Sequence, residues 1–389
     1  MEERLKMGDT MESIRNEING IDDELVKLFV RRMGASERMA EVKRMASAPV
    51  QDPARERSIL AKVAAAVGPD LENEARLMFT TLMSISRGRQ RAEMSGESAL
   101  AREIGEAVAA TPAAFPSSAS VACPGVEGSY SQQAACRLVN FPTILYFKGF
   151  DDVFSAVEKG MCDYGILPIE NSAVGSVTAV YDLMAKHNFR IVRAVKLRIR
   201  HVLLAPRGTK LEDIREISSH PHAIAQCSEF LHSLPGIRAV PATNTAAAAA
   251  QVAASGRKDA AVIAARECAE LYGLEVIRED ISNTASNYTR FICISKRNEI
   301  YPDAGKFSVM MSLNHRPGAL TDVLVKFAAA GVNLTKLESR PVPGSDFEFR
   351  FIFDFESTPR DPRVMKMLSG FSTDPEIEHF TFLGAYSEK

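Results

Sequence analysis

The sequence predicts a multidomain fold with an all-α segment first, an α/β segment in the middle and a ferredoxin-like segment last. A chain of 389 residues exceeds the size of one hydrophobic core. Residues 9–95 show helical apolar spacing without a strand pattern, whereas residues 121–297 alternate short apolar runs with helical stretches. Residues 306–386 follow the order strand, helix, strand, strand, helix, strand of the ferredoxin-like plan. We therefore expect domains at 1–95, 121–297 and 298–389.

The composition is that of an ordinary soluble protein, with 46% hydrophobic and 25% charged residues. A formal net charge of −2 argues against nucleic acid or an anionic membrane as a partner. The six cysteines show neither a C-x-x-C pair nor a histidine at metal-ligand spacing, which indicates reduced thiols and no metal site. The stretch from Met1 to Arg4 does not open an apolar signal sequence, and no apolar run approaches the roughly 20 residues of a membrane span. We expect a cytoplasmic protein.

The first segment is expected to form three helices. Apolar residues recur every three or four positions along the first helix, which predicts a coiled-coil-like seam. The seam consists of Ile14, Ile18, Ile21, Leu25 and Leu28. Asp52-Pro53 predicts a capped start of the second helix, Gly68-Pro69 ends it, and Asp70 opens a third helix that runs past Gln90. Three helices cannot bury this seam alone, so we expect a homo-oligomer, either a dimer or a tetramer.

Charged and polar residues form a second pattern on these helices. Arg32 and Lys43 lie about three turns apart and share a face, and Ser86 and Gln90 lie one turn apart. Any one of these charges alone is typical of a solvated helix face. Together the pattern resembles the all-helical chorismate mutases, in which each functional position has a match here. The matched positions are Arg15, Arg32, Lys43, Asp52, Arg55, Glu56, Ser86 and Gln90.

This resemblance implies rearrangement of chorismate to prephenate, which needs neither a nucleophile nor a proton transfer. Catalysis then consists of holding the reactive conformer and stabilising charge on the breaking ether oxygen. The resemblance implies that Arg32 grips one substrate carboxylate and that Arg15 of a partner copy grips the other. It implies that Lys43 and Gln90 donate to the ether oxygen. The remaining four positions are implied as hydroxyl, positioning and rim contacts: Asp52, Arg55, Glu56 and Ser86.

Residues 96–120 are rich in Ala, Pro, Ser and Thr and end in Thr111-Pro112-Ala113-Ala114-Phe115-Pro116-Ser117-Ser118. That composition predicts a tether with few contacts to either neighbour.

Four short motifs stand out in the middle segment. They are Gly125-Val126-Glu127-Gly128-Ser129-Tyr130-Ser131, Pro168-Ile169-Glu170-Asn171-Ser172 with Gly175-Ser176-Val177, Ser219-His220-Pro221, and Asn287-Tyr288-Thr289-Arg290-Phe291. In this order they resemble the prephenate dehydratases over essentially all of residues 121–297. The resemblance implies two α/β lobes with a cleft between them. One position departs from the family, because His222 stands where Gln is common; we expect it to affect the pocket rim at most.

The implied reaction expels the ring hydroxyl of prephenate together with carbon dioxide, so a proton must reach the departing hydroxyl. The resemblance places Thr289 at that hydroxyl as a positioned donor in a relay, and makes Arg290 the natural partner of a carboxylate. The other implied site residues are Glu170, Asn171, Ser219 and Gln226. Gly175-Ser176 and Ser219-His220-Pro221 each precede an apolar helix, which gives two candidate anion sites at helix N-termini.

The last segment carries Pro317-Gly318-Ala319-Leu320 at a helix start and a strand that follows it. The pattern resembles the phenylalanine-sensing ACT module of prephenate dehydratases. Amides at Gly318, Ala319 and Leu320 are then expected to hold the effector carboxylate. The strand is expected to close the other side and accept the ammonium group through Asn333, Leu334, Glu338, Ser339, Arg340 and Pro341. The exposed sheet edge of such a unit is expected to pair with a second copy.

These resemblances together indicate a bifunctional chorismate mutase–prephenate dehydratase of phenylalanine synthesis, inhibited by its end product and needing no cofactor. A mutase joined to a dehydrogenase would need a dinucleotide fingerprint, and no G-x-G-x-x-G occurs. An arogenate dehydratase, whose substrate differs by an amino group, stays open. A binding regulator that has lost catalysis is a further alternative, against which the intact Thr289-Arg290-Phe291 and Glu170-Asn171-Ser172 argue.

Overall fold

The structure is a computed structural model, and it describes residues 10–95, 98–342 and 348–389. The expectation that no signal sequence begins at Met1–Arg4 therefore lies outside the described residues. No helix in these three ranges is long and apolar enough to cross a membrane.

The first domain consists of three helices, as predicted: α1 (Met11–Met45), α2 (Pro53–Val67) and α3 (Glu72–Ser95). Asp52 caps α2 by accepting the amide of Arg55 at 3.0 Å. A 3-10 turn at Pro69–Leu71 delays the start of α3 by two residues from the predicted Asp70. Helix α1 is about 52 Å long at 1.5 Å per residue, and α3 packs against both other helices.

Much of the α1 seam has no partner within the described part of the chain. Ile18, Ile21, Leu25 and Leu28 are between 44% and 58% exposed. Exposure of a contiguous apolar row on a long helix is typical of a surface that another chain covers.

The predicted tether is wrong over much of its length, because helix α4 (Ala99–Ala110) occupies it. Leu100, Ile104 and Ala107 recur at helical spacing and are buried in the core of the last domain. Ser98 caps α4 and its hydroxyl donates to Ser369 at 2.8 Å. The alanines that suggested a tether are also strong helix formers. Burial of Leu100, Ile104 and Ala107 in the last domain favours the helix over the tether.

The middle segment folds into two α/β lobes, in line with the expected architecture. The first lobe contains β1 (Ser118–Pro124), α5 (Tyr130–Leu138), β2 (Phe141–Phe147), α6 (Phe150–Glu158), β3 (Tyr164–Asn171), β4 (Gly175–Ser176), α7 (Thr178–Lys186) and β5 (Arg190–Arg198), with β11 (Tyr288–Ser295) returning from the second lobe. The strand order is β5-β11-β3-β1-β2, with β4 paired to β3. Strand β1 is parallel to β2 and β3, whereas β11 is antiparallel to β3 and β5.

The second lobe is a smaller five-stranded sheet with the order β10-β6-β9-β7-β8. Its elements are β6 (Val202–Pro206), β7 (Glu216–Ser219), α8 (Pro221–Gln226), α9 (Ser228–His232), β8 (Arg238–Pro241), α10 (Thr245–Ser255), β9 (Ala260–Ala264), α11 (Glu267–Tyr272) and β10 (Leu274–Arg278). The chain crosses between the lobes twice, at residues 199–201 and 279–287. Two crossings hold the lobes beside each other, and the cleft lies between them.

The last domain has the predicted βαββαβ order: β12 (Lys306–Leu313), α12 (Ala319–Ala330), β13 (Asn333–Pro341), β14 (Phe349–Glu356), α13 (Pro362–Ser372) and β15 (Ile377–Glu388). Its strand order is β13-β14-β12-β15. Gly331 ends α12 in the left-handed conformation, at φ 72°, as its position predicts. Burial does not alternate along β14, since four consecutive residues, from Ile352 to Phe355, are all buried.

This domain is built into the rest of the chain. Ser387 of β15 pairs in parallel with Arg193 of β5, so the sheets of the last domain and the first lobe form one ten-stranded sheet. At the junction a Cβ atom on Gly384, whose φ is 146°, would collide with the carbonyl oxygen of Ile191. Strand β13 therefore forms the edge of the sheet on the side of the last domain, since β15 is covered by β5.

Candidate active sites

The cleft between the two lobes holds a cluster of one hydroxyl and three side-chain amides. Thr289 on β11 lies opposite Asn171 on β3 in the antiparallel register. Asn171 Nδ2 donates to Thr289 Oγ1 at 2.8 Å and to Asn287 Oδ1 at 2.8 Å. Gln226, at the end of α8 in the second lobe, joins the cluster through Asn287 Nδ2, which donates to Gln226 Oε1 at 3.0 Å. The structure thus brings Thr289, Asn171 and Gln226 together as expected.

Hydrogen bonds from the backbone fix the direction of the Asn171 amide. The amides of Ala173 and Val174 donate to Asn171 Oδ1 at 3.0 and 3.1 Å. Oδ1 is therefore the accepting end of Asn171, and Nδ2 is the end that donates to Thr289. Because the Thr289 oxygen accepts this bond, its own hydrogen remains available for a group in the cleft. That is the arrangement a proton donor to a leaving hydroxyl requires.

Three residues of this cluster were not assigned from the sequence. Asn287 is fully buried and belongs to a motif that was recognised, but no role was given to it. His201 lies 3.0 Å through Nε2 from Gln226 Oε1, and its Nδ1 lies 3.2 Å from the Tyr130 hydroxyl. Tyr130 belongs to the first motif, whereas His201 stands alone in the sequence. A lone histidine between two apolar strands carries no local signal, and only the crossing of the chain brings it to the cleft.

Glu170 and Arg290 do not join this cluster. Neighbouring residues on a strand point to opposite faces of a sheet. Glu170 therefore lies on the face opposite to Asn171, and Arg290 on the face opposite to Thr289. Arg290 is 5% exposed and pairs with Asp354 at 2.5 Å and with Glu388 at 3.1 Å. Both carboxylates belong to the last domain. The expectation that Arg290 is the natural carboxylate partner at the site is therefore wrong for this structure.

The same interface contains Glu170, whose carboxylate lies 3.2 Å from Lys336 Nζ on β13 and 3.7 Å from Arg290. Burial opposes the charge of Arg290, but the hydroxyl of Tyr386 and the carboxylates of Asp354 and Glu388 raise its pKa above the ordinary value. Arg290 thus stays charged inside the protein, and its charge is balanced by the last domain.

Ser219 is also turned away from the cluster. It is fully buried, and its hydroxyl donates to the Ile263 carbonyl of β9 at 2.6 Å. The bond holds β7 to β9 and leaves Ser219 without a hydrogen for a substrate. Neither predicted anion site gains support from the structure. Helix α8, which follows Ser219-His220, has only six residues, and at the other site the Ser176 hydroxyl donates to Glu338 of the last domain. His222 is exposed and stacks edge-on against His220, with ring centroids 5.0 Å apart.

In the helical domain, α1 and α3 bring together Arg32, Ser86 and Gln90. Arg32 Nη1 donates to Ser86 Oγ at 2.6 Å and to the Leu82 carbonyl at 3.0 Å. Ser36, which was not assigned from the sequence, accepts from Gln90 Nε2 at 3.0 Å. Gln90 is 8% exposed, and its Oε1 is buried without a hydrogen-bond partner in the described ranges. Burial lowers the pKa of Arg32.

The other five assigned positions are distributed around this cluster. Lys43 donates to the Val50 carbonyl in the loop before α2. Glu56 pairs with the buried Arg87 of α3 at 2.6 Å. Asp52 and Arg55 form the N-terminal cap of α2, which is a sufficient structural role for Asp52. Arg15 is exposed near the start of α1, and no described residue bonds its side chain.

The effector residues of the last domain lie on both faces of its sheet. Gly318, at φ 83°, precedes α12, and the amide of Ala319 donates to the Arg316 carbonyl at 3.3 Å. Leu320 and Leu334 pack against the core beneath α12 and α13. Of the strand residues, Asn333 and Ser339 are exposed, while Pro341 ends β13 opposite Phe349.

Glu338 faces the first lobe instead of the start of α12. A β-bulge between Leu334 and Lys336 shifts the strand by one residue, so Leu334 and Glu338 point to opposite faces of the sheet. The Glu338 carboxylate accepts from Ser176 and pairs with Lys336 at 3.1 Å and Arg340 at 3.3 Å. Burial opposes its ionisation, but these partners lower the pKa of Glu338 below its ordinary value. Within one chain the Glu338 carboxylate is thus paired with residues of its own strand and of the first lobe, and its contact with the effector ammonium stays a prediction.

A helical bundle, a two-lobed α/β unit with a polar cleft, and a βαββαβ unit joined to its sheet define a multidomain enzyme whose catalytic domains carry a regulatory domain. Models of three families match in the same order: chorismate mutase type II over residues 14–91, prephenate dehydratase over 121–299 and the ACT domain over 307–369. The chain belongs to the prephenate dehydratase family and carries a chorismate mutase domain and an ACT domain besides.

Known proteins resemble the chain at two scales. A chloroplastic arogenate dehydratase/prephenate dehydratase 2 of Arabidopsis thaliana is 38% identical over 268 residues, which is 65% of this chain and 70% of the relative. A bifunctional chorismate mutase/prephenate dehydratase of Enterobacter agglomerans is 28% identical over 367 residues, 93% of this chain and 92% of the relative. The crystal structure of prephenate dehydratase in complex with L-Phe from Arthrobacter aurescens is 33% identical with a TM-score of 0.62, covering 69% of this chain and 89% of that one.

Proposed function

We propose that the chain converts chorismate to prephenate in its helical domain and prephenate to phenylpyruvate in the cleft between its α/β lobes. The observation that carries the second activity is the direction of the Asn171–Thr289 hydrogen bond, which leaves the Thr289 hydrogen free to donate. The bond from the ring to its carboxylate breaks and its electron pair enters the ring. The bond from the ring to its hydroxyl breaks, and that oxygen takes a proton. Carbon dioxide, water and an aromatic ring result.

Thr289 is a weak acid by itself, so its part is to deliver the proton in a fixed direction. A hydrogen bond received from Asn171 Nδ2 stabilises charge that develops on the threonine oxygen as its hydrogen moves toward the substrate. Positioned donors of this kind contribute about 10²–10⁴-fold to a rate. Gln226 and Asn287 hold the geometry across the two lobes, so closing the cleft completes the site.

The helical domain suits a unimolecular rearrangement. Arg32 is half-buried on α1, and its guanidinium donates to two neutral groups, the Ser86 hydroxyl and the Leu82 carbonyl. A substrate carboxylate can replace these neutral acceptors, because it binds a guanidinium more strongly. Gln90 Nε2 carries two hydrogens, of which one goes to Ser36 and the other can reach a substrate oxygen. The exposed seam of α1 supports a dimer in which each chain lends Arg15 to the other site. The proposed mutase domain extends over residues 1–95.

We further propose that phenylalanine binds the ACT domain and inhibits dehydration. The Arthrobacter prephenate dehydratase, which is similar to this chain, is a complex with L-Phe. Two contacts connect the ACT domain to the dehydratase cleft in this chain. Arg290 follows Thr289 on β11 and pairs with Asp354 on β14, and Ser176 donates to Glu338 on β13. A ligand that shifts β13 or β14 therefore acts on the strands that carry the cleft. Inhibition requires tighter binding to the less active arrangement.

An arogenate dehydratase activity is the second candidate. The name of the Arabidopsis relative includes both arogenate dehydratase and prephenate dehydratase, so it favours the two activities equally. The two substrates differ where one carries a keto group and the other an amino group. The deciding experiment gives purified protein prephenate or arogenate separately and follows phenylpyruvate or phenylalanine. A kcat/KM at least about tenfold higher for prephenate, which corresponds to about 1.4 kcal/mol, supports the first assignment, and the reverse ratio supports the second. Turnover of neither substrate by the wild-type chain would overturn both.

A further inference from the structure

His201 is a buried histidine in the short crossing that joins the two lobes. It is 3% exposed and follows β5 by three residues, directly before β6. Its carbonyl accepts the amide of Ile281, which lies in the second crossing, at 3.3 Å. His201 thus belongs to one crossing between the lobes and is hydrogen-bonded to the other. The dehydration chemistry described above does not use it.

The hydrogen-bond directions in the cluster determine its tautomer. The Gln226 oxygen already accepts from Asn287 Nδ2, so the Gln226 oxygen is the end that faces His201. An amide oxygen only accepts, and therefore His201 Nε2 carries the hydrogen and donates at 3.0 Å. The Gln226 nitrogen is then directed to Asn171 Oδ1 at 3.5 Å. A chain of defined donors runs from the imidazole of His201 to the amide that orients Thr289.

We propose that His201 is a positioning residue for dehydration: its Nε2–H holds the Gln226 side chain, and with it Asn287, against the Asn171–Thr289 pair across the two lobes. The inference rests on the proposed dehydratase activity. Without the imidazole donor, Gln226 can rotate its amide and present its nitrogen to Asn287. Two amide nitrogens would then face each other, so the hydrogen bonds that join Gln226 and Asn287 to Asn171 across the lobes would be weakened, while the backbone amides of Ala173 and Val174 still hold Asn171 Oδ1.

The surroundings keep His201 in this neutral form. Burial lowers its pKa below the ordinary 6.5, against the hydrogen bond with Gln226, which raises it. The titratable group facing the imidazole from α5 is Tyr130, whose pKa burial raises well above 10.0. Gln226 from α8, the Ile281 amide and the Arg200 backbone are uncharged groups at this position. In this tautomer Nδ1 accepts, so the Tyr130 hydrogen is shared between His201 Nδ1, at 3.2 Å, and the Arg200 carbonyl, at 2.8 Å.

Two substitutions of His201 separate positioning from packing. The amide nitrogen of Gln in His201→Gln can occupy the place of Nε2 and donate to Gln226, whereas Asn in His201→Asn reaches only the place of Nδ1. Both remove the imidazole ring, but Asn keeps a polar atom near Tyr130 and Gln keeps one near Gln226, so comparing the two isolates the hydrogen bond to Gln226. We expect His201→Asn to lower kcat for dehydration about tenfold with KM within about twofold, since one orienting hydrogen bond is lost. We expect His201→Gln to keep kcat within about twofold of wild type.

A double variant tests the route of the effect. If His201 acts through Gln226, then His201→Asn combined with Gln226→Ala should be no slower than Gln226→Ala alone. Melting temperatures are recorded for each protein. Equal loss in His201→Gln and His201→Asn, no loss in His201→Asn, or an additive double variant would each overturn the inference. If His201→Asn does not fold, then kcat of His201→Gln decides, since a tenfold loss there contradicts positioning and retention supports it. An inactive wild type would instead refute the proposed dehydratase activity.

Discussion

Replacing Arg290 tests whether this residue binds a substrate carboxylate or joins the dehydratase lobe to the ACT domain. In Arg290→Met the carboxylate of Asp354, which is 2% exposed, loses its cation. Removing one partner of a buried ion pair costs about 3–5 kcal/mol. For a unit of roughly 200 residues, each kcal/mol lowers the melting temperature by about 2–4 °C, so we expect a fall of about 6–20 °C.

The second variant, Asp354→Leu in the Arg290→Met background, removes the uncompensated charge. Glu388 keeps a partner in Lys306, at 2.7 Å, so the double variant replaces most of the pair by apolar groups. We expect the double variant to recover at least about 2 kcal/mol relative to the sum of the single changes, because apolar replacement of a buried pair is close to neutral. The Asp354→Leu single variant completes the cycle.

The chain contains no tryptophan, so far-ultraviolet circular dichroism is the suitable measure of unfolding. Dehydration is assayed in parallel at a temperature where all variants are folded. A carboxylate-binding role would give the opposite pattern: a melting temperature within about 2 °C of wild type and a large loss of kcat/KM. That outcome would refute the assignment of Arg290 to the domain interface.

Three further outcomes follow from the contacts. Arg32→Ala should abolish chorismate rearrangement while prephenate dehydration continues, as measured by separate assays on one preparation; loss of both would show that the sites are not independent. Glu338→Gln should weaken inhibition by phenylalanine about fivefold, because its bond from Ser176 joins β13 to the first lobe, whereas the exposed Glu378→Gln should leave inhibition as in wild type. Burial opposes ionisation of Asp374, but Lys326 and Arg91 lower its pKa below 3.8. Its stabilising contribution is thus present above about pH 4 and lost as the pH falls through the folded-state pKa, so the melting temperature of Asp374→Asn should depend less on pH in that range than that of wild type.

The order of the elements followed from local signals. The caps at Asp52 and Gly331, the apolar seam of α1 and the βαββαβ sequence each depend on residues that are close along the chain. Thr289, Asn171 and Gln226 came from motifs and do meet in the cleft. For these features, spacing and composition carried enough information.

What the sequence could not supply depended on long-range packing. Arg290 was assigned to the cleft because it adjoins Thr289, yet its direction was decided by the ACT domain docking behind β11. The face on which Glu338 lies depends on a single β-bulge, which no residue in β13 indicates. Helix α4 was taken for a tether because alanine serves both structures, and the core of the last domain decided between them. His201 entered the site through a crossing between lobes.

The proposed function requires that one chain performs both reactions in succession and that Thr289 is needed for the second. Both requirements are tested together when chorismate is added to purified wild-type protein and to Thr289→Val, and prephenate and phenylpyruvate are followed with time. We predict that wild type passes through prephenate to phenylpyruvate. Thr289→Val, whose side chain has nearly the same shape without a hydroxyl, should form prephenate at the wild-type rate and then stop. Phenylpyruvate formed by Thr289→Val at a rate within a few fold of wild type would contradict the role of the threonine hydroxyl.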